Sequence, residues 1–419
     1  MIPKLTRENY CYKLTYCILA ICLVSLPFTR WLMLPSAFLL LLCQLTDGRF
    51  RQKWQLLCER KSLFALVAIS GLFLASLIAT TYAPDFGAAL SDWECKIWFL
   101  VAPLCILPYE EQLRGSRLHR LLMIFCAATL FCSFGNMIWS ATDFLRTHET
   151  QAFWYGHATH FIGAEATHPS YLSMYCAVAW AILVHPFQGR SLNRWGKALR
   201  WAGIILLPIE IVLLESKAGW FVLVFVILME FIYRMSRRRQ FVLLAALCVI
   251  LSGGAAAVLL HTERTKVAIE ALKHGDRSDP TDGTLQRVVV WETAKEEIAH
   301  HLPWGTGTGS SRDVLCQSYE VHGYTHILAK RLNCHNQYLQ STLEQGIIGI
   351  VALTVFLLFL FSSAIRKRNY LLGLFLAVIA LNFLVESMIE ARAGSNFIPL
   401  LATLLYVGDA PTHCEGMSE

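Results

Sequence analysis

The 419-residue chain is 55% hydrophobic and only 16% charged, with 36 Lys and Arg against 30 Asp and Glu for a formal net charge of +6. Water-soluble domains carry about 25% charged residues, so this composition excludes an ordinary soluble globule and makes the lipid bilayer the natural solvent. The modest positive charge does not argue for nucleic acid, which would need a basic surface with base-reading or stacking groups.

A spanning helix needs about 20 mostly apolar residues. Taken in chain order, the apolar runs predict an all-α, polytopic integral membrane protein of about twelve transmembrane helices. They lie near 10–28, 31–46, 62–81, 95–108, 120–141, 170–185, 201–214, 219–233, 241–260, 335–362, 370–388 and 396–408. The runs are continuous, whereas β-barrel strands would be short and alternating. The first, Tyr10–Phe28, follows Lys4 and Arg7 without a small-residue cleavage site and reads as a retained helix, not a signal peptide.

Short cytoplasmic loops retain Lys and Arg. With the N-terminus inside, the basic groups Lys4, Arg7 and Lys13; Arg49 to Lys61; Arg114, Arg117 and Arg120; Arg190 to Arg200; Arg234 and Arg237 to Arg239; and Arg366 to Arg368 all fall in cytoplasmic segments. The short outer connections hold only Arg30, Lys96, Arg146, Lys217 and Arg392. Both termini are therefore expected in the cytoplasm. The chain divides into a membrane domain of nine spans over 1–260, a large outer loop 261–334 between spans nine and ten, and a second membrane domain over 335–419 with three spans and a short cytoplasmic tail.

Most of the 14 cysteines lie in apolar spans, where a thiol acts as a small hydrophobe. Cys316 and Cys334 instead fall in the outer loop, where an oxidising compartment would let them close a loop beside His335. Spacing alone leaves that bond open.

Two outer connections are long enough to need a reason. The first, 142–169, holds His148, His157, His160, Glu165 and His168, at spacings that match no strong metal pattern. They read as polar loop histidines near the membrane interface. The second opens on a stretch rich in Asp and Gly and continues as an amphipathic helix over Leu285–His301, ended by Pro303. Gly305, Gly307 and Gly309 follow. They lack the lysine and strand-turn-helix setting of a phosphate loop and read as a turn.

Cys334-His335-Asn336-Gln337-Tyr338-Leu339 then leads into span ten, which contains Glu344, Gly346 and Gly349. Were His335 helical, it would share a face with Tyr338, Leu339 and Thr342. Glu386 and Glu390 stand four apart on span eleven, an unfavourable pair of like charges unless a cation or a proton relieves them. Lys217, Arg287 and Arg392 are the candidate cations. Each residue also has a structural reading. Arg287 could pair with Glu292, Lys217 could extend to the headgroups, and His335 could cap its helix.

The large outer loop between spans nine and ten, Arg287 with Trp291 four residues on, Pro303 with Gly305, Gly307 and Gly309, and His335-Asn336 opening span ten together resemble the O-antigen ligase family. Motif detail is confined to about 215–220 and 285–350. The family shares its C-type glycosyltransferase-like fold with O-antigen polymerases and some protein O-oligosaccharyltransferases. The resemblance implies transfer of a glycan from undecaprenyl pyrophosphate to a hydroxyl of lipid A-core, inverting, without a required metal or other cofactor. It also implies a bacterial inner-membrane location with the active site in the periplasm, where membrane lipid, the lipid-linked donor and lipid A-core are the partners.

On that resemblance His335 matches the catalytic histidine and Arg287 a pyrophosphate-binding arginine. Lys217, in Glu215-Ser216-Lys217-Ala218-Gly219, stands where the family has a second arginine. A lysine there is a point charge in place of a planar fork. Asn336 and Glu386 are the supporting residues, Glu386 by holding a cation or orienting His335, although a structural ion pair would explain it equally well. Polymerase and protein-glycosylating readings keep the same donor and change the acceptor. A secondary transporter would instead show paired halves with polar groups at the bilayer midplane. The chain shows no repeat, and its notable polar residues gather at the outer edge.

Overall fold

A computed structural model describes residues 7–408 apart from 30, 155–158, 160, 162–166, 186–192, 239–265, 267–269, 271–272 and 274–276. The span expected at 241–260, the loop residues His157, His160 and Glu165, and the C-terminal tail after 408 lie outside the described residues.

Among the described residues every regular element is a helix. In chain order these are α1 (Arg7–Ser25), α2 (Met33–Thr46), α3 (Phe50–Cys58), α4 (Arg60–Thr80), α5 (Phe86–Lys96), α6 (Trp98–Ile106), α7 (Glu110–Leu113), α8 (Ser116–Thr147), α9 (Pro169–Val184), α10 (Arg194–Leu213) and α11 (Lys217–Arg238). After the undescribed stretch come α12 (Gly283–His301), α13 (Ser311–Val321), α14 (Thr325–Lys330), α15 (Gln337–Arg366), α16 (Tyr370–Phe383) and α17 (Arg392–Val407).

Four helices, in α4, α8, α11 and α15, are long and apolar enough to cross a membrane, and Tyr10–Ser25, Met33–Thr46, Pro169–Val184 and Tyr370–Phe383 are shorter apolar helices. Large apolar side chains on the long helices point out of the protein: Phe64, Phe131 and Leu358 are 53%, 62% and 62% exposed. Such surfaces are unfavourable in water and favourable in hydrocarbon, which makes this a membrane protein. Inside, α15 packs on α4, α17 on α6, and α9 against α10 and α11.

The fourth expected span, 95–108, divides into α5 and α6, with Lys96 closing the first. The eleventh is shorter than its hydropathy suggests. Helix α16 ends at Phe383, Glu386 sits in the turn beyond it, and Glu390 closes a separate 3-10 turn at Met388–Glu390. The two glutamates therefore do not share a helix face.

The outer-loop helix expected at 285–301 is α12, started by Asp282, whose carboxylate accepts from the backbone N–H of Thr284 and Leu285. With α13 and α14 it forms a small satellite core of Val289, Val290, Leu315, Tyr319, Ile327 and Cys334, which seats this segment on Leu343 of α15. Cys316 and Cys334 are both free thiols, so packing in this core, not a disulfide, braces the approach to His335.

Helix α15 is broken at Gly346, whose φ of 62° and ψ of −145° are non-helical. The break opens a slot for the loop after Pro303. The N–H of Ile347 donates to Pro303 O (2.9 Å), while the freed carbonyls of Leu343 and Glu344 accept from Thr306 N and Gly307 N at 2.8 and 3.0 Å. The backbone groups lost to the kink are thus paired again by the loop. A Cβ on Gly346 would lie 2.1 Å from Pro303 O, and one on Gly305 would lie 2.5 Å from Gly346 N. These glycines permit close approach, so the Gly305–Gly309 run is a docking segment and more than a turn.

Candidate functional site

The satellite core and the broken helix together fix where His335 stands. Cys334 is fully buried and its N–H donates to Gln340 Oε1, while Asn336 caps α15 by accepting from Leu339 N. His335 therefore precedes the helix, with φ 43°, and shares no helical face with Tyr338, Leu339 and Thr342. A non-glycine residue at positive φ is uncommon.

The histidine enters a cavity of about 870 Å³. Its walls include Lys217 and Phe221 of the α11 entry, Arg287 and Trp291 of α12, His168 before α9, Lys330 at the end of α14, and Leu381 and Glu386 from the end of α16 and the turn beyond it. The volume suits a small-molecule site, and its lining combines apolar side chains with the cations Lys217, Arg287 and Lys330.

His335 Nδ1 lies 2.9 Å from Glu386 Oε1. An ionised carboxylate only accepts, so Nδ1 carries the hydrogen and Nε2 is the basic nitrogen of the neutral ring. The other carboxylate oxygen, Oε2, is 3.8 Å from an Arg287 Nη2. Burial works to raise the Glu386 pKa, but the hydrogen bond and charge of His335, followed by the charge of Arg287, hold it below the ordinary glutamate value. Glu386 is thus ionised at neutral pH. Its hold on the imidazole is present above the unfolded pKa and is lost as the pH falls through the depressed folded value.

Arg287 keeps unused capacity. Its Nε and the Trp291 Nε1, one helical turn further on, are buried and make no hydrogen bond. These two donors on one helix face are open to acceptor oxygens in the cavity. Lys217 Nζ donates to Thr284 Oγ1 at 2.9 Å, tying the α11 entry to the first turn of α12. Lys330, which also lines the cavity, donates to Gln286 Oε1.

All but one of the sequence-derived site residues reach this cavity. Asn336 does not line it. Besides capping α15, its N–H donates to Ser387 Oγ and its amide to Leu384 O, so it stitches the His335 segment to the Glu386 turn. Arg287 does not pair with Glu292, which faces Arg277, and Arg392 does not relieve the acidic pair but reaches Glu94. Glu390 is met by Lys96.

The sequence reading set aside His168 and passed over Lys330. The Nδ1 of His168 accepts from Ser170 N at the start of α9. Burial depresses its pKa, Glu386 opposes that fall, and His335 and Arg287 add to it. A histidine immediately before Pro169 at an apolar run was the available signal, since that is a helix N-cap position and so a fixed one. His148, by contrast, ends α8 and does not line the cavity.

Residues 202–354 match a protein-family model, and that model describes O-antigen ligase. The matched segment is similar to O-antigen ligase. The match takes in Lys217, Arg287, His335 and Asn336 and stops short of Glu386. It supports the O-antigen ligase family and a glycosyltransferase-type function within the ligase and polymerase superfamily. Among curated proteins no match to the chain was found.

Proposed function

We propose that the cavity transfers a glycan from undecaprenyl pyrophosphate to a hydroxyl of lipid A-core, with inversion and without a metal. The observation that carries this reading is His335 bonded through Nδ1 to Glu386 in the same cavity as the unpaired Arg287 Nε. A base held in one tautomer beside a permanently charged donor is what a displacement at an anomeric carbon requires.

In the proposed step the acceptor hydroxyl gives its proton to His335 Nε2 as its oxygen attacks the anomeric carbon. The bond from that carbon to the pyrophosphate oxygen breaks, and the electron pair leaves with the pyrophosphate. Arg287 and Lys217 offset the growing charge there. One displacement from the opposite face inverts the configuration. Glu386 stays ionised and stabilises the imidazolium, while Asn336 keeps the two segments together. The apolar lining residues Phe221, Val222, Leu381 and Leu384 suit the polyprenyl chain.

In this reading the protein lies in the bacterial inner membrane with about twelve spans, both termini cytoplasmic and 261–334 in the periplasm. Reporter fusions after Arg239 and after Asp282 are expected to report opposite sides of the membrane, and the same side for both would refute that topology. The functional reading is tested in a strain lacking the gene, where lipopolysaccharide should lose its O-antigen ladder and regain it from the wild-type copy. An unchanged ladder in the deletion would rule out the ligase assignment.

Two results concern the cations. Because the proposed leaving-group charge is met by Arg287 and Lys217, EDTA is expected to leave the purified protein active; loss of activity restored by a divalent ion would contradict the step. Lys217→Arg should keep much of the transfer activity and Lys217→Ala lose most of it, by less than the loss at Arg287, since lysine offers no two-pronged contact. An alanine variant as active as wild type would reduce Lys217 to a structural link to Thr284.

A further inference from the structure

The cavity leaves unexplained a second polar cluster that lines no part of it. Asp92, Glu344 and Glu390 bring carboxylate oxygens within 4.8 Å of one another. The ammonium of Lys96 stands among them, 2.7 Å from Asp92 Oδ1, 3.2 Å from Glu390 Oε1 and 3.4 Å from Glu344 Oε1. Lys96 is 2% and Glu344 1% exposed. Carboxylates this close and this buried cannot all stay ionised without compensation. Burial pushes the Glu390 carboxyl above the ordinary glutamate value, with Lys96 pulling it down and Glu344 and Asp92 adding to the rise.

Each carboxylate belongs to a different piece of the catalytic scaffold. Asp92 and Lys96 are one turn apart on α5. Glu344, just before the α15 break, accepts from Gly309 N and Ser311 Oγ and so holds the docked glycine loop. Glu390 accepts from Gln337 Nε2, and Gln337 Oε1 accepts in return from Ile389 N. Gln337 lies two residues after His335, and Ile389 three after Glu386. The cluster thus clamps the segment that presents His335 to the turn that presents Glu386.

We propose that Lys96 is a positioning residue, a built-in cation in a three-carboxylate nest that holds the His335 and Glu386 segments in register. This rests on the functional reading above only in its activity readout. The ammonium fills the place that three converging carboxyl groups would otherwise offer to a divalent ion, and it offsets part of their charge with a cation that is covalently attached and cannot dissociate. Losing it leaves three converging acids without their shared cation at the joint between the two segments, a displacement that reaches the base without touching the donor-binding cations.

The test compares wild type, Lys96→Met and Lys96→Met with Glu390→Gln, by melting temperature and by steady-state transfer from a lipid-pyrophosphate donor. Lys96→Met is expected to melt lower and to turn over about tenfold to a hundredfold more slowly, the scale of a small misplacement of a catalytic group. Its KM for the donor should stay within about twofold, because Lys217 and Arg287 are untouched. Glu390→Gln removes one of the three acids that the lost ammonium faced and retains an acceptor for Gln337, so the double variant should recover most of both losses. If the single variant does not accumulate, the double variant is still expected to fold and turn over. A double variant no better than the single, or a KM that rises in step with the loss of turnover, overturns the clamp. Wild-type protein that moves no glycan would sink the functional reading, while the melting comparison would still decide the role of Lys96.

Discussion

Replacing His335 by alanine is expected to lower turnover by roughly a hundredfold or more, the usual scale for removing a positioned general base. Donor binding should be nearly unchanged. The main chain at 334–336 is fixed by Cys334 in the satellite core and by Asn336 at the head of α15, so the loop should survive loss of the imidazole. Single-turnover rates and donor affinity, measured on purified protein, separate the two effects. A His335→Ala protein with an undiminished rate would show that some other group takes the proton, and His168 would then be the first to examine. Weakening Glu386 should act in the same direction through tautomer and orientation, because it is the acceptor for Nδ1.

The second large effect is expected at Arg287, and of a different kind. Arg287→Ala should weaken donor binding as well as slow transfer, with a combined loss on the order of 10²–10³ if its unpaired Nε and its terminal nitrogens meet the leaving pyrophosphate. Arg287→Lys should fail nearly as badly. It keeps the charge but loses the planar fork, and it gives up the fixed approach that brings Nη2 to 3.8 Å from Glu386. A lysine variant with close to wild-type efficiency would mean that charge alone suffices. An alanine variant with unaltered donor affinity would move the pyrophosphate elsewhere in the cavity, with Lys330 a ready alternative.

Much of this arrangement was legible in the chain because its signals are local. Asp282 at an N-cap, Pro303 after a periodic stretch and the step from Cys334-His335-Asn336 into apolar sequence each depend on a few neighbouring residues, and α12 and α15 begin and end close to where those residues direct. Apolar length likewise located the long helices α4, α8 and α15. Where the reading went astray, the deciding contact is distant. Hydropathy continues past Phe383, so it could not show that α16 stops there and that Glu386 turns toward His335. The Gly305–Gly309 run is a turn in isolation. Only the break at Gly346, some 40 residues on, makes it a docking segment.

Lys96 is the plainest case. In the sequence it is one of the few basic residues in the outer connections, and nothing near it calls for a partner beyond Asp92. Its other partners, Glu344 and Glu390, come from α15 and the turn before α17, and they meet it because α15 packs on α4 while the 388–390 turn packs on α5. The acidic residues Glu386 and Glu390 did signal that cations were needed. Which cation answers which carboxylate is decided by packing, which sent Arg287 and His335 to one and Lys96 to the other.

The central claim is that the cavity catalyses one inverting displacement of pyrophosphate by a hydroxyl. It is tested most directly by incubating the purified protein in lipid with a glycan on undecaprenyl pyrophosphate of defined anomeric configuration and with lipid A-core, then determining the linkage formed. The account predicts release of undecaprenyl pyrophosphate together with a product of opposite anomeric configuration, and loss of both in the His335→Ala protein. A product of retained configuration, or equal transfer by the variant, would contradict it.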